Sequence, residues 1–236
     1  PLGTLDALDL VAQRAGPAGD LSVLFIVIDT LRADRLGCYG YARDTSPVID
    51  AVARHGIRFE DVLAHSSWTK TSMASLWTGT WPVTHGVLSW SHALPEAARM
   101  PAEAFRERGY RTAGLFRNGW VDSIFGFAQG FQNYYHPRAN ATPEKLARKN
   151  PSSPPLQGSD LDVTEAAREF LRSFREERFF LYLHYMDVHQ YAYDESSALF
   201  GTSYSDAYDN AIRWVDRNVA AVLAALDETG RSPHTL

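Results

Sequence analysis

Four segments rich in β-branched and aromatic residues predict the strands of this chain. Residues 21–28 form a continuous apolar run, which is typical of a parallel strand covered on both faces. Residues 57–64 and 110–116 are predicted as further strands, and residues 179–185 as a buried one. We therefore expect a sheet whose strands are largely internal.

Segments with helical periodicity alternate with these strands. Ser46 stands at the N-cap position of the first, Pro47 is its first helical residue, and Gly56 ends it. Along the chain, a predicted helix that ends at a glycine is repeatedly followed by a predicted strand. It predicts an α/β fold with a wound, mostly parallel sheet and helices on both faces. The other predicted helices cover residues 71–78, 101–108, about 162–174 and about 205–228.

The periodic pattern begins at residue 21 and weakens in the middle of the chain. We assign residues 1–20 to an N-terminal extension and residues 21–236 to one α/β domain. Within it, residues 118–160 are interpreted as a loop insertion, because 150–155 are rich in proline and serine.

Composition narrows the function classes. The 236 residues are 45% hydrophobic and 22% charged, which fits a globular domain with a substantial core. A net charge of −5 argues against a nucleic-acid surface. Cys38 is the single cysteine, so neither an internal disulfide nor a thiolate metal cluster is expected. The absence of an initiator Met leaves room for an upstream signal or membrane anchor.

Polar residues stand where three predicted strands end and where one helix begins. These positions are Asp29, the pair Arg117 and Asn118, and His189. In open α/β sheets, ligands bind outside the carboxyl ends of the strands. The turn 66–72 opens a helix whose free amides suit a phosphate or sulfate oxygen. A hydroxyl nucleophile placed there is activated when a divalent metal binds its alkoxide.

Several ordered motifs resemble the sulfatase family of the alkaline phosphatase superfamily. They are found in residues 27–34, 36–41, 45–50, 75–79, 82–87, 107–113, 185–189 and 208–216. The resemblance covers most of residues 21–227 and is loose between 118 and 160. It implies an alkaline-phosphatase-like fold that is truncated here, and an enzyme acting on sulfate or phosphate esters.

Position by position, the resemblance implies a catalytic pair. Asp29 matches the first metal-binding carboxylate of the family, whereas Thr30 replaces a second Asp found in many members. Thr69 occupies the nucleophile position, where sulfatases have a Cys or Ser that becomes formylglycine. A Thr cannot be converted in that way, but related phosphodiesterases and phosphoglycerol transferases use an unmodified Thr. Phosphoryl chemistry is therefore favoured over sulfuryl chemistry.

The same comparison assigns the substrate contacts. Lys70 is an oxyanion contact in this interpretation, Arg117 or Asn118 aligns with a sulfate-binding Lys, and His189 contacts the substrate or leaving group. Thr71, Met73 and Gly119 depart from the family pattern, which favours an alternative: a catalytically silent relative used for binding or assembly. A Rossmann-type nucleotide binder is disfavoured because no Gly-x-Gly-x-x-Gly follows the first strand. The tryptophans are interpreted as core or pocket wall rather than as a nucleic-acid platform.

The metal site is expected to be incomplete in this chain. The family has a second metal pair, Asp-His-Gly, about ten residues beyond the last predicted helix, and the sequence ends before it. A carboxylate and a hydroxyl hold Zn²⁺, Mn²⁺, Ca²⁺ or Mg²⁺ poorly, because these ions take four to eight ligands. The resemblance thus implies an inactive fragment that needs a C-terminal half or a companion fragment. It also implies a small anionic ester as substrate and an extracytoplasmic location.

Overall fold

The central feature is a four-stranded parallel sheet. The structure, a computed structural model, describes residues 21–138, 140–154 and 156–236; the predicted extension 1–20 lies outside them. The strand order is β1-β5-β2-β3, and each neighbouring pair is parallel. The strands are β1 (Val23–Ile28), β2 (Arg111–Phe116), β3 (Asn133–Tyr135) and β5 (Phe179–Tyr185). The predicted wound, mostly parallel sheet is confirmed.

The register brings three strand ends together. Ile28 of β1 lies opposite Tyr185 of β5, and Phe116 of β2 lies opposite His184. All seven residues of β5 are buried, as the apolar run predicts for an internal parallel strand. The residues that follow β1, β2 and β5 therefore emerge side by side at one edge of the sheet.

Helices cover both faces of the sheet, and the alternation of side chains along β1 shows how. Leu24, Ile26 and Ile28 pack against one core cluster, which also contains residues of α1, α5 and α7. Val23, Phe25 and Val27 pack against the other, with residues of α2 and α4. These helices are α1 (Pro47–His55), α2 (Thr69–Thr78), α4 (Pro101–Glu107), α5 (Asp160–Ser173) and α7 (Tyr204–Glu228).

Shorter elements fill the connections. A two-stranded antiparallel ribbon pairs β4 (Ala147–Arg148) with β6 (Ala192–Tyr193). Two four-residue helices are α3 (Pro82–His85) and α6 (Asp187–Gln190). The 3-10 turns are Ala33–Arg35, Gly37–Tyr39, Gly119–Val121, Ser123–Phe125, Glu195–Ser197 and Ser232–His234. The segment predicted as a loop insertion thus contributes β3 and β4.

One predicted strand is wrong. Residues 57–64 run without strand pairing to any described residue, and Leu63 is 90% exposed. A strand needs a hydrogen-bonding partner along its edge, and no described strand pairs with this segment. Among the described residues, the outer edge of β1 is paired only near its start, where Leu24 N–H donates to Leu236 O at 2.8 Å.

The first helix is capped differently from what the sequence predicts. Ser46 occupies the N-cap position as expected, but its side chain makes no capping hydrogen bond. The carboxylate of Asp216, from α7, instead accepts hydrogen bonds from Val48 N–H and Ile49 N–H at 2.9–3.2 Å. A carboxylate at this position also interacts favourably with the positive end of the helix dipole. Among the described residues, the structure contains no helix with the length and apolar character needed to span a membrane.

Candidate active site

A cavity of about 760 Å³ opens at the sheet edge where β1, β2 and β5 end. The strand ends, the start of α2 and the helix α6 all contribute to its wall. Its polar lining includes Asp29, Thr30, Ser67, Thr69, Asn118, Ser152, Ser153, His189 and Gln190. Four of the residues predicted as site residues therefore meet in one cavity: Asp29, Thr69, Asn118 and His189.

The backbone turns sharply after Asp29. Thr30 has a φ of 59°, in the left-handed region that costs a non-glycine residue about 1–3 kcal/mol. Tyr208 holds this turn, because its hydroxyl donates to Thr30 O at 2.7 Å and accepts from Arg32 N–H at 2.9 Å. The strained turn directs the chain out of the sheet immediately beyond the carboxylate.

Three donors converge on one oxygen of Asp29. Its Oδ2 lies 3.1 Å from Thr69 Oγ1, 2.6 Å from Asn118 Nδ2 and 3.3 Å from His184 Nε2. Burial raises the pKa of Asp29, but the hydrogen bonds from His184 and Asn118 favour the ionised form, and the pKa lies below its ordinary value. The group is therefore a carboxylate at neutral pH, as a metal ligand must be.

Thr69 is the first residue of α2. Its hydroxyl donates to Asp29, and Trp68 at the N-cap provides no side-chain cap among the described residues. The first amides of this ten-residue helix, together with its dipole, favour an anion at this end. Thr69 thus combines a hydroxyl, a neighbouring carboxylate and an anion-binding helix start.

Lys70 does not reach the cavity. Its side chain is fully buried behind the aromatic wall, where Nζ donates to Trp90 O at 2.8 Å and lies 3.4 Å from the centre of the Phe125 ring. Burial lowers the pKa of Lys70. The ammonium contacts the rings through cation–π interactions and does not face the space that a substrate would occupy.

Arg117 also points away from the cavity. Its guanidinium is buried and donates to Asp160 Oδ1 at 3.0 Å and to Asp187 Oδ1 at 2.5 Å. Burial lowers the pKa of Arg117, but the two carboxylates more than offset this, so the pKa is raised. Of the two alternatives predicted for the substrate contact, Asn118 lines the cavity and Arg117 is held in an internal ion-pair cluster.

His184 is a site residue that the sequence reasoning missed. It is the sixth residue of β5, fully buried, and its Nε2 faces Asp29. The signal available was a histidine within an otherwise apolar strand, one residue before the strand ends. In a buried strand such a group needs a polar partner, and the nearest strand end supplies one.

An aromatic wall lines one side of the cavity. The rings of Trp68 and Trp120 lie 5.3 Å apart, and those of Trp90 and Trp120 lie 4.6 Å apart, all in edge-on contacts. Trp77 is instead buried in the core, 4.8 Å from Tyr182. Of the tryptophans predicted as core or pocket wall, Trp68 and Trp90 line the cavity and Trp77 lies in the core, but Trp81 is 68% exposed and packs against His65.

The donor atoms suit a divalent cation only in part. Asp29 carboxylate and Thr69 hydroxyl are oxygen donors that Mg²⁺, Ca²⁺ or Zn²⁺ accept. Within the described part of the chain, no group of three His, Cys, Asp or Glu side chains could hold a metal. The residues present therefore fit as part of a coordination shell.

Comparison with known proteins identifies the family. The sequence profile of the sulfatase family matches residues 22–236. The N-acetylgalactosamine-6-sulfatase of Rattus norvegicus is 24% identical over 272 residues, covering 99% of this chain and 51% of that protein. The chain spans about half the length of this relative.

Two solved structures share the fold. The crystal structure of Ps i-CgsB superimposes with a TM-score of 0.76 at 20% identity, covering 92% of this chain and 57% of the other. The C-terminal periplasmic domain of EcEptC from Escherichia coli, solved in complex with Zn, gives 0.61 at 15% identity, covering 89% and 60%. The two structures show a shared fold, and the profile match over residues 22–236 shows that the chain belongs to the sulfatase family.

Proposed function

We propose that this protein is a metal-dependent hydrolase or transferase of phosphate or sulfate esters, with Thr69 as its nucleophile. The observation that carries the proposal is the 3.1 Å hydrogen bond between Thr69 Oγ1 and Asp29 Oδ2, formed at a helix start that lines the cavity. At this position, a hydroxyl that can act as a nucleophile lies beside a carboxylate that can bind metal and a helix start that can bind the ester oxygens.

The residues of the cavity divide the work. Asp29 and Thr69 would hold the metal, for which Zn²⁺, Mn²⁺, Ca²⁺ and Mg²⁺ are the candidates. When bound, such a cation would lower the pKa of a coordinated hydroxyl and offset charge on the ester oxygens. Asn118 keeps Asp29 in place and borders the substrate, and His189 lies where it can protonate a leaving oxygen.

Phosphate esters are the preferred substrates, because Thr69 cannot become formylglycine. Thr69 loses its proton to water in the open cavity, and its Oγ bonds to phosphorus as the bond to the leaving oxygen breaks. The leaving oxygen takes the electron pair and a proton. Water then attacks the phosphoryl group on Thr69 and restores the hydroxyl; an alcohol in place of water makes the same step a transfer.

For the substrate and the cellular location, we propose only general classes. A small anionic ester fits a cavity of this size, whose wall is largely aromatic on one side. Further metal ligands are proposed to come from a C-terminal half or a companion fragment. We also propose an extracytoplasmic location, with any membrane attachment provided upstream.

A catalytically silent family member is the second candidate. It is favoured by the position of the two cations predicted to contact substrate: Lys70 is enclosed by aromatic rings, and Arg117 is bound by two carboxylates. A site without these cations binds a dianionic ester more weakly. Such a protein would keep the fold for binding or assembly.

Turnover by the protein at its full natural length tests the proposal. Each of the four metals is added in turn, and panels of phosphodiesters and sulfate esters are assayed. We expect metal-dependent turnover, with Thr69→Ala lowering kcat by on the order of 10³-fold or more and Thr69→Ser retaining part of it. Stoichiometric metal supports the enzyme. Full activity of Thr69→Ala would overturn Thr69 as the nucleophile, whereas two inert panels from a protein that binds none of the four metals would favour the silent alternative.

A further inference from the structure

A chain of three buried polar groups leads from the interior of the sheet to Asp29. Tyr182 and His184 are both fully buried in β5, on the same face of the strand. Tyr182 Oη lies 2.6 Å from His184 Nδ1, and His184 Nε2 lies 3.3 Å from Asp29 Oδ2. Neither Tyr182 nor His184 lines the large cavity, and the proposed reaction assigns no step to either; His184 lines a smaller pocket together with Asp29 and Thr69.

Only one arrangement of protons allows each of these three side chains to form its hydrogen bonds. Among the described residues, the Tyr182 hydroxyl has only His184 Nδ1 as a partner. Burial raises the pKa of Tyr182 well above its ordinary value, so the phenol keeps its proton and donates it to Nδ1. Nδ1 must then carry a lone pair, and the imidazole proton is on Nε2, directed at Asp29.

The other two proton arrangements each leave a group unsatisfied. With the proton on Nδ1 alone, the lone pair of Nε2 would face the lone pairs of Asp29 Oδ2 at 3.3 Å. With both nitrogens protonated, the Tyr182 hydroxyl would have to accept, and its own buried proton would have no acceptor. An unsatisfied buried polar group costs about 1–3 kcal/mol.

We propose that His184 is a positioning residue for Asp29, with Nδ1 accepting from Tyr182 and Nε2 donating to Asp29. Three donors, from Thr69, Asn118 and His184, hold Oδ2, and no described group donates to Oδ1. The carboxylate is therefore fixed in rotation with one oxygen left for a ligand. The consequence for metal binding rests on the proposed function; the tautomer itself does not.

Nitrogen NMR measures the tautomer directly. The chain has eight histidines, so the signal of His184 is assigned by its loss in His184→Gln. In ¹⁵N-histidine-labelled protein near pH 7.5, long-range ¹H–¹⁵N correlations should show His184 protonated at Nε2 only, and Tyr182→Phe, which removes the hydrogen bond to Nδ1, should shift the Nδ1 resonance and leave the proton on Nε2. A proton on Nδ1 in the unaltered protein, alone or with Nε2, would overturn the proposal.

Two matched substitutions test the positioning role. Gln at position 184 places an amide N–H where Nε2–H stands, whereas Asn reaches only as far as Nδ1. Mn²⁺ titration of the full-length protein should give similar affinities for the unaltered protein and His184→Gln, and about 10- to 100-fold weaker binding for His184→Asn. Circular dichroism checks that both variants fold. Equal affinities for Gln and Asn would refute the role, whereas no Mn²⁺ binding by the unaltered protein would refute the proposed function and leave the tautomer test intact.

Discussion

At the residue scale, the hydrogen-bond and ion-pair partners of each charged side chain determine whether it lines the cavity or belongs to the interior. Asp29 stays ionised in a buried position because three donors meet on its Oδ2. Arg117 and Asp187, which also follow strand ends, satisfy each other and Asp160 instead. The same kind of sequence position thus yields a cavity-lining carboxylate in one case and a structural ion pair in the other.

The Arg117 cluster should be essential to stability. Arg117→Met leaves Asp160 and Asp187 buried without their cation, so we expect the free energy of unfolding to fall by about 3–5 kcal/mol. Arg172→Met is the matched control, because Arg172 and Glu228 form an exposed pair at 3.3 Å that should contribute less than about 1 kcal/mol. Urea unfolding measures both. Equal losses would show that the cluster has no special role.

Some site residues could be predicted from sequence and others could not. Asp29, Asn118 and His189 follow strands, and Thr69 begins a helix, so local pattern and family resemblance were enough to select them. The orientation of Lys70 and Arg117 depends on Phe125, Asp160 and Asp187, which are distant in sequence. His184 was missed because its neighbours in β5 are apolar, and its partner Asp29 is 155 residues away.

At the element scale, the sequence pattern predicted helices and strands more reliably than it predicted the tertiary contacts between them. The apolar runs located β1, β2 and β5, the apolar stripes located α1, α5 and α7, and the closing glycines helped to locate α2 and α4. Residues 57–64 have a strand-like composition, but strand formation also requires an edge to pair with, which composition does not reveal. The capping of α1 by Asp216 of α7 is likewise a tertiary contact over more than 160 residues.

The Asp216 cap should give stability a measurable pH dependence. Burial raises the pKa of Asp216 to about 6, against the opposing effect of the α1 amides and Arg213. Because the folded pKa lies above the unfolded value, the associated stability is present below about pH 4 and is lost as the pH rises through about 6. Relative to Asp216→Asn, the unaltered protein should lose about 1–3 kcal/mol between pH 4 and pH 7.

Unfolding by urea at several pH values measures this difference. Asn keeps an acceptor for Val48 N–H and Ile49 N–H but does not titrate, so the comparison isolates the effect of protonating Asp216. Asp34→Asn is the control: Asp34 is 62% exposed, and its pKa is lowered by Arg32, so no such loss should appear. A flat difference for Asp216→Asn between pH 4 and pH 7 would contradict the assigned pKa.

At the scale of the whole molecule, the fold explains why the site lies where it does. Parallel strands bring their carboxyl ends to one edge, and the two helical layers leave that edge open as a cavity. Membership of the sulfatase family fits this arrangement, and the chain corresponds to about half of its curated relative from Rattus norvegicus. The described residues carry the proposed nucleophile, the carboxylate proposed to bind metal and the aromatic wall.

The central claim is that Thr69 receives the group cleaved from the ester. The most direct measurement is mass spectrometry of the full-length protein, mixed with metal and a phosphodiester and quenched in acid during turnover. The account predicts a phosphoryl adduct on the peptide containing Thr69, located on that hydroxyl by fragmentation and absent from Thr69→Ala. Turnover without any adduct on Thr69, or an adduct on a different residue, would contradict it.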